Sequence, residues 1–236
     1  MRIDGEQGAR CRECPTRGYC LTNEVLETQL PIVESVFLMS APLTRGDHLY
    51  HAGELADSHF HMRSGVAKTY SINSAGDEFV TGFYLPGEMV GCAQQDGLHT
   101  DSAIALETTT VCQLRDEDIG KLTRLGIEAN LFKRLSEREY RAAQRQFNLV
   151  QDSAEARVAG FFMDLSDRLA RLDRYPAVIP LSMSRTDIAN YIGLTLATLS
   201  RVFAKMTKAG VISASRHEVH ILQPADLELI GLHAVS

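Results

Sequence analysis

Nowhere do the 236 residues run through the roughly 18 uncharged apolar positions that a membrane span requires. The opening MRIDGEQGARC also lacks the apolar core of a secretory leader. Both absences predict a cytoplasmic protein, in a compartment that keeps thiols reduced. No solenoid-length repeat and no low-complexity tract interrupts the chain. Cysteines number only five, an odd count that weakens a disulfide framework. In a reducing compartment, clustered cysteines more often bind metal or sense redox state. No nucleophile–base motif and no phosphate-cradling glycine loop is present. His48, His51, His59 and His61 lie in or near early strands, as in metal-holding cupin barrels, but no later carboxylate-and-histidine pattern completes a metal set. They read as exposed strand or turn histidines, and an enzyme is rejected.

The hydrophobic content of 44% and charged content of 23% are those of an ordinary globular protein. A net charge of −6 argues against a nucleic-acid binder until its placement is examined. Residues 1–153 carry 15 lysines and arginines against 22 carboxylates, whereas residues 154–236 carry nine against eight. From Ile188 to His217 there are Arg201, Lys205, Lys208 and Arg216, and no acid at all. An acidic body thus carries one local basic face.

From Leu43 to Leu114, short apolar or alternating runs are punctuated by Gly46, Gly53, Gly65, Gly76 and Gly87. This pattern predicts an antiparallel roll, with its clearest hairpin turn at Asn73–Asp77. The period then becomes helical. Leu131, Leu135, Ala142, Gln146 and Leu149 form the stripe of a long helix, interrupted by Arg138 and Glu139. Such a stripe either packs on its own domain or pairs, weakly, with a twin. Ser153 is placed to cap a following helix through AEARVAGFFMDLSDRLARL.

LSMSRTDIANYIGLTLATLSRVFAKMTKAGVI is the most informative stretch. Ser184 and Asp187 form a capping box, opening a helix that ends by Ile192. Gly193 suits the left-handed position after it. Thr195 can cap the next helix, with Leu196, Leu199, Val202, Phe203 and Met206 inward and Ala197, Thr198, Ser200, Arg201 and Lys205 outward. Two short helices joined by a glycine turn make a helix-turn-helix, its second helix suited to the major groove of DNA. Ser200 and Arg201 fall near base edges, where arginine can give guanine two parallel hydrogen bonds. Lys205, Lys208 and Arg216 fall near phosphates. VISASRHEVHIL then reads as a two-stranded wing.

CRECPTRGYC places Cys11, Cys14 and Cys20 at C-x2-C-x5-C, and a fourth ligand would have to be Cys92 or Cys112. Spacing alone leaves zinc and an iron–sulfur cluster both open.

A cysteine-rich N-terminus, a glycine-punctuated roll, a long helix and a winged helix-turn-helix occur together in the CRP/FNR superfamily of transcription regulators. The chain resembles its oxygen-responsive, fumarate and nitrate reduction branch in CRECPTRGYC, RSGVAKTYSI, GDEFVTGFYLPGEMVG, ALETTTVCQL, SAEARVAGF and DIANYIGLTLATLSR. The resemblance implies an α+β protein in four parts. Residues 1–29 form a cluster-binding segment, 30–125 a cyclic-nucleotide-binding-like jelly roll, 126–152 a dimerisation helix and 153–236 a winged helix-turn-helix. It implies a [4Fe–4S] cluster on Cys11, Cys14, Cys20 and Cys112, with Cys92 a small buried hydrophobe. In the family, oxygen converts the cluster to a [2Fe–2S] form and eventually removes it. The implied homodimer, paired through Leu131, Leu135, Ala142, Gln146 and Leu149, reads palindromic duplex DNA with Thr195, Ala197, Thr198, Ser200, Arg201, Lys205, Lys208 and Arg216. Its half-sites resemble TTGAT/ATCAA. RNA polymerase is the implied second partner, through the GFYLPGE loop. The runner-up keeps DNA binding and makes the same cysteines a zinc site or thiol switch.

Three features differ from relatives. Ala197 stands where the family usually has a glutamate, so recognition of one G·C pair is relaxed or altered. Ala142 and Ala143 make the seam less acidic or bulky. Asp101–Ser102 stands where cyclic-AMP-binding relatives have the Arg–Ser pair that holds the phosphate, so no cyclic nucleotide is expected.

Overall fold

A computed structural model describes residues 7–23, 25–92, 94–150, 153–172 and 177–232. The chain forms two compact units, Met1–Arg138 and Glu139–Ser236.

In the first unit, β1 (Gln7–Gly8), β2 (Phe37–Met39), β4 (Ser58–Ser64), β7 (Met89–Val90) and β11 (Thr110–Arg115) form one sheet in the order β1-β2-β11-β4-β7. The facing sheet has β3 (His48–Tyr50), β5 (Ala67–Ile72), β6 (Glu78–Tyr84) and β10 (Ser102–Ala105), in the order β3-β10-β5-β6. A small hairpin joins β8 (Gln94–Gln95) to β9 (Leu98–His99). Among the described residues every strand pairing in this unit is antiparallel, as expected of the jelly roll. Leu49, Tyr50, Phe60, Met62, Val90 and Val111 fill the space between the sheets. The Asn73 turn closes β5 onto β6. Gly76 takes φ +88° there, and Asn73 Oδ1 accepts from the backbone N–H groups of Ala75 and Asp77.

A second core lies under the N-terminal segment. Ala9, Cys11, Leu21 and Val25 are buried with Val33 and Val36 of α1 (Leu30–Val36), Leu122 of α2 (Asp116–Thr123) and Ile127. The cysteine segment is therefore packed into its unit, and α1 is a helix that hydrophobic periodicity missed. Seven residues are too few to show a period.

Helix α3 (Glu128–Leu149) begins in the first unit and ends in the second. The second unit continues with α4 (Ala154–Ala170), capped by Ser153 Oγ accepting from Ala156 N at 3.0 Å. Strand β12 (Val178–Pro180), α5 (Arg185–Tyr191), α6 (Leu196–Lys208), β13 (Ile212–Ala214), β14 (Glu218–Ile221) and α7 (Pro224–Leu232) complete it. The wing is three-stranded, in the order β12-β14-β13, because β12 adds an edge to the expected hairpin. Phe162 of α4 meets Phe203 of α6 edge-on, with ring centroids 5.4 Å apart. Among the described residues no helix is long and apolar enough to cross a membrane.

Candidate functional site

Three chained turns shape the cysteine segment. Cys14 N donates to Cys11 O, Arg17 N to Cys14 O and Cys20 N to Arg17 O, at 3.1–3.2 Å. Each turn advances three residues, so positions 11, 14 and 20 return to one side. Glu34 anchors the start, its Oε1 accepting from Cys11 N at 2.7 Å. Glu27 anchors the outside through Arg12 (3.0 Å) and Arg17 (2.8 Å), and the Arg17 hydrogen bond is the main cause holding its carboxyl low.

The fourth thiol comes from the roll. Cys112 lies in β11 between Met39 of β2 and His61 of β4. Cys11, Cys14, Cys20 and Cys112 all line one cavity of about 20 Å³, closed by Ala9, Thr16, Phe37, His61 and Met62. All five cysteines are free. Burial, then the neighbouring thiols Cys20 and Cys112, push Cys11 up to about 12. Cys112 is likewise pushed to about 12, by burial and then by Cys20 and Cys14. Among the described residues no three His, Cys, Asp or Glu side chains converge as a set for a metal ion. Cys92 stands apart, lining a separate apolar cavity of about 250 Å³ with Leu21, Met89, Leu114, Ile127 and Leu131.

The expectation of exposed histidines fails at two positions. His61 is 3% exposed and fully desolvated, which lowers its imidazole pKa to about 3. Its Nδ1 is 3.9 Å from Cys20 Sγ, so it is part of the cysteine cavity, as sequence reasoning had missed. His59 is mostly buried and its Nε2 lies 3.2 Å from Asp116. Alternation within β4 puts both on the face covered by the N-terminal segment.

In the roll, Asp101 is buried. It accepts from Tyr50 Oη (3.2 Å) and Thr81 Oγ1 (3.1 Å), and burial raises its carboxyl pKa. Ser102 Oγ accepts from Ala52 N at 2.9 Å. The position expected to receive a phosphate in cyclic-nucleotide binders is thus an internal acidic network.

The stripe on α3 divides. Leu135, Ala142 and Gln146 are exposed. Leu131 packs against the core beneath the cysteine segment, while Leu149 stands against Gly193. Phe132, Tyr140 and Phe147 are also exposed, at 74%, 64% and 50%, and were not singled out from sequence.

Around α5 and α6, local chemistry follows the sequence closely. Ser184 Oγ accepts from Asp187 N (3.0 Å), and Asp187 Oδ2 accepts from Ser184 N (3.1 Å), closing the capping box. Gly193 takes φ +67°, a conformation that disfavours a side chain. Thr195 caps α6 by accepting from Thr198 N at 3.1 Å. Leu199, Val202, Phe203 and Met206 are buried, whereas Leu196, expected inside, is 47% exposed because it opens the helix beyond the core. Thr195, Ala197, Ser200, Arg201, Lys205, Lys208 and Arg216 are all exposed, and Thr198 is half-buried. Arg216 sits in the wing turn. Lys205 Nζ pairs with Glu155 of α4 at 2.7 Å.

Comparison with known proteins agrees with this geometry. Residues 156–230 match the Crp-like helix-turn-helix domain and residues 41–124 the cyclic nucleotide-binding domain. The chain is 36% identical over 222 residues to the transcriptional activator protein anr of Pseudomonas aeruginosa PAO1, covering 93% of this chain and 91% of that one. It is 35% identical over 208 residues to the fumarate and nitrate reduction regulatory protein of Escherichia coli K12, covering 86% and 82%. FixK2 of Bradyrhizobium japonicum shares its fold, with a TM-score of 0.72 at 24% identity over 83% of this chain and 97% of that one. The chain belongs to the CRP/FNR family of DNA-binding transcription regulators, in the branch of the fumarate and nitrate reduction proteins, and it is not an enzyme.

Proposed function

We propose that the protein is a cytoplasmic, oxygen-responsive regulator in which a [4Fe–4S] cluster on Cys11, Cys14, Cys20 and Cys112 favours the DNA-binding homodimer. The observation that carries this reading is four free thiols, three from chained turns and one from a sheet strand, facing one cavity. Four cysteines are the donor set of such a cluster. The cavity is small, and the wall that can yield is the Cys11–Cys20 turns, since Cys112 is held on both sides in its sheet. When bound, the cluster supplies an oxygen-labile tie between that segment and β11.

The chain's own residues extend the tie to the helix. Leu21 follows Cys20 directly and is buried, and its carbonyl accepts from Asn130 Nδ2 of α3 at 3.3 Å. Leu131, the next residue, packs against the same core. Displacing the segment therefore disturbs the start of α3. The exposed seam of Leu135, Ala142 and Gln146 is short and partly polar, so a few kcal/mol of bias is enough to shift a monomer–dimer balance. Two copies of α6 about one turn of DNA apart match a palindrome. The preferred half-sites resemble TTGAT/ATCAA, altered where Ala197 cannot accept a hydrogen bond from cytosine. The GFYLPGE loop, residues 82–88, is the proposed contact with RNA polymerase. Cyclic nucleotide is no ligand, because the buried Asp101 carboxylate would repel its phosphate.

Binding to such a palindrome tests this reading. Anaerobically purified protein should bind as a dimer and lose most of that affinity in air. Arg201→Ala should lose discrimination at the one base pair that Arg201 reads and leave the dimer intact. Equal affinity before and after air would sink oxygen control, and undiminished discrimination by the Arg201 variant would misplace the recognition helix.

A further inference from the structure

Arg201 is braced before any DNA arrives. Its Nε donates to the Ala197 carbonyl at 3.4 Å and its Nη2 donates to Thr198 Oγ1 at 3.1 Å. Thr198 is fixed in turn by the helix cap. Thr195 Oγ1 accepts from Thr198 N and donates to Thr198 Oγ1 at 2.9 Å. A chain of contacts at three-residue steps, 195 to 198 to 201, therefore runs along one edge of α6. Ala197 contributes only its backbone carbonyl, so Thr198 is the one side chain that these contacts give the guanidinium.

The donor count shows what the brace leaves available. A guanidinium has five N–H groups. The brace uses Nε–H and one Nη2–H, which lie on the side edge of the planar fork. Both Nη1–H groups and the other Nη2–H remain. The pair on the end edge points the same way, and two parallel donors are what guanine O6 and N7 accept. Thr198 is half-buried with its Oγ1 engaged, so its part is to hold Arg201 rather than to meet a base itself.

We propose that Thr198 is a specificity-determining positioning residue, whose hydroxyl presets the Arg201 guanidinium for end-on reading of one guanine. This rests on α6 being the recognition helix. A long, flexible side chain loses rotamer freedom on binding, and a brace present in the free protein removes part of that loss, worth about three- to tenfold in affinity.

The test uses the full chain, purified anaerobically, and a duplex that the wild type selects from a randomised pool. Each G·C pair is then exchanged for A·T in turn. Arg201→Ala identifies the pair that Arg201 reads, as the exchange to which the variant has become indifferent. Thr198→Val should lose about three- to tenfold discrimination at that same pair, with binding to unrelated DNA unchanged. Thr198→Ser, which restores the hydroxyl, should behave as wild type. In the Arg201→Ala background, Thr198→Val should cost nothing further. Unchanged discrimination in Thr198→Val, a loss at a different base pair, or an equal loss without Arg201 would each overturn the proposal. If Arg201→Ala itself retained full discrimination, the recognition-helix reading would fail first. Thermal unfolding of both Thr198 variants confirms that the comparison is made on folded protein.

Discussion

His99 and Asp101 lie two residues apart, and burial governs both. His99 is stacked on Tyr50 with ring centroids 3.8 Å apart, and its buried Nδ1 has no hydrogen-bond partner among the described residues. Desolvation lowers its pKa below the usual 6.5. The native state then binds a proton less readily than the unfolded chain, so stability is lost as pH falls through 6.5. His99→Phe keeps a ring against Tyr50 and removes the titrating group. Thermal unfolding measured from about pH 7 to about pH 5 should therefore decline less steeply in the variant than in the wild type. Parallel declines would show that His99 contributes nothing to acid sensitivity. Asp101 supplies the opposite lesson: sequence reasoning saw a carboxylate where a phosphate would bind, and the structure shows Tyr50 and Thr81 already occupying it.

At the scale of elements, the competition for Lys205 is open to measurement. This lysine was read as a phosphate contact, yet in the free protein its ammonium is held by Glu155 of α4 at 2.7 Å. Exposed pairs of this kind are weak, so DNA can displace the glutamate, at some cost in affinity. Glu155→Gln should bind DNA more tightly at low salt and steepen the fall of log K with log salt by up to about 0.9 per protomer. Unchanged affinity and slope together would mean that Glu155 does not compete with DNA for Lys205. The helix-turn-helix was legible residue by residue, because caps and glycine turns are local chemistry. Ser184–Asp187, Gly193 and Thr195 behave as their side chains dictate. The cysteine segment was legible only in part. C-x2-C-x5-C holds every cysteine at a multiple of three from the first, a signal for stacked three-residue turns that its spacing already contained. That His61 closes the cavity depends on which roll strand lies beneath, and that is a tertiary fact. The same holds for α3, where the stripe Leu131–Leu149 marked the helix but could not say which members its own units would cover.

For the whole molecule, an acidic chain of net charge −6 with one basic face depends on presenting two such faces together. In the proposed function that presentation depends on Cys112, the one thiol of the four that is anchored in the roll, and not on Cys92, which lines a different cavity. Iron and acid-labile sulfide per chain after strictly anaerobic purification, with the visible spectrum followed on admitting air, test this most directly. The wild type and Cys92→Ser should each carry about four irons and four sulfides whose absorbance bleaches in air, and Cys112→Ser should carry almost none. Zinc in the wild type, no metal with only a reversible change in thiol count, or a full cluster in Cys112→Ser would contradict the account.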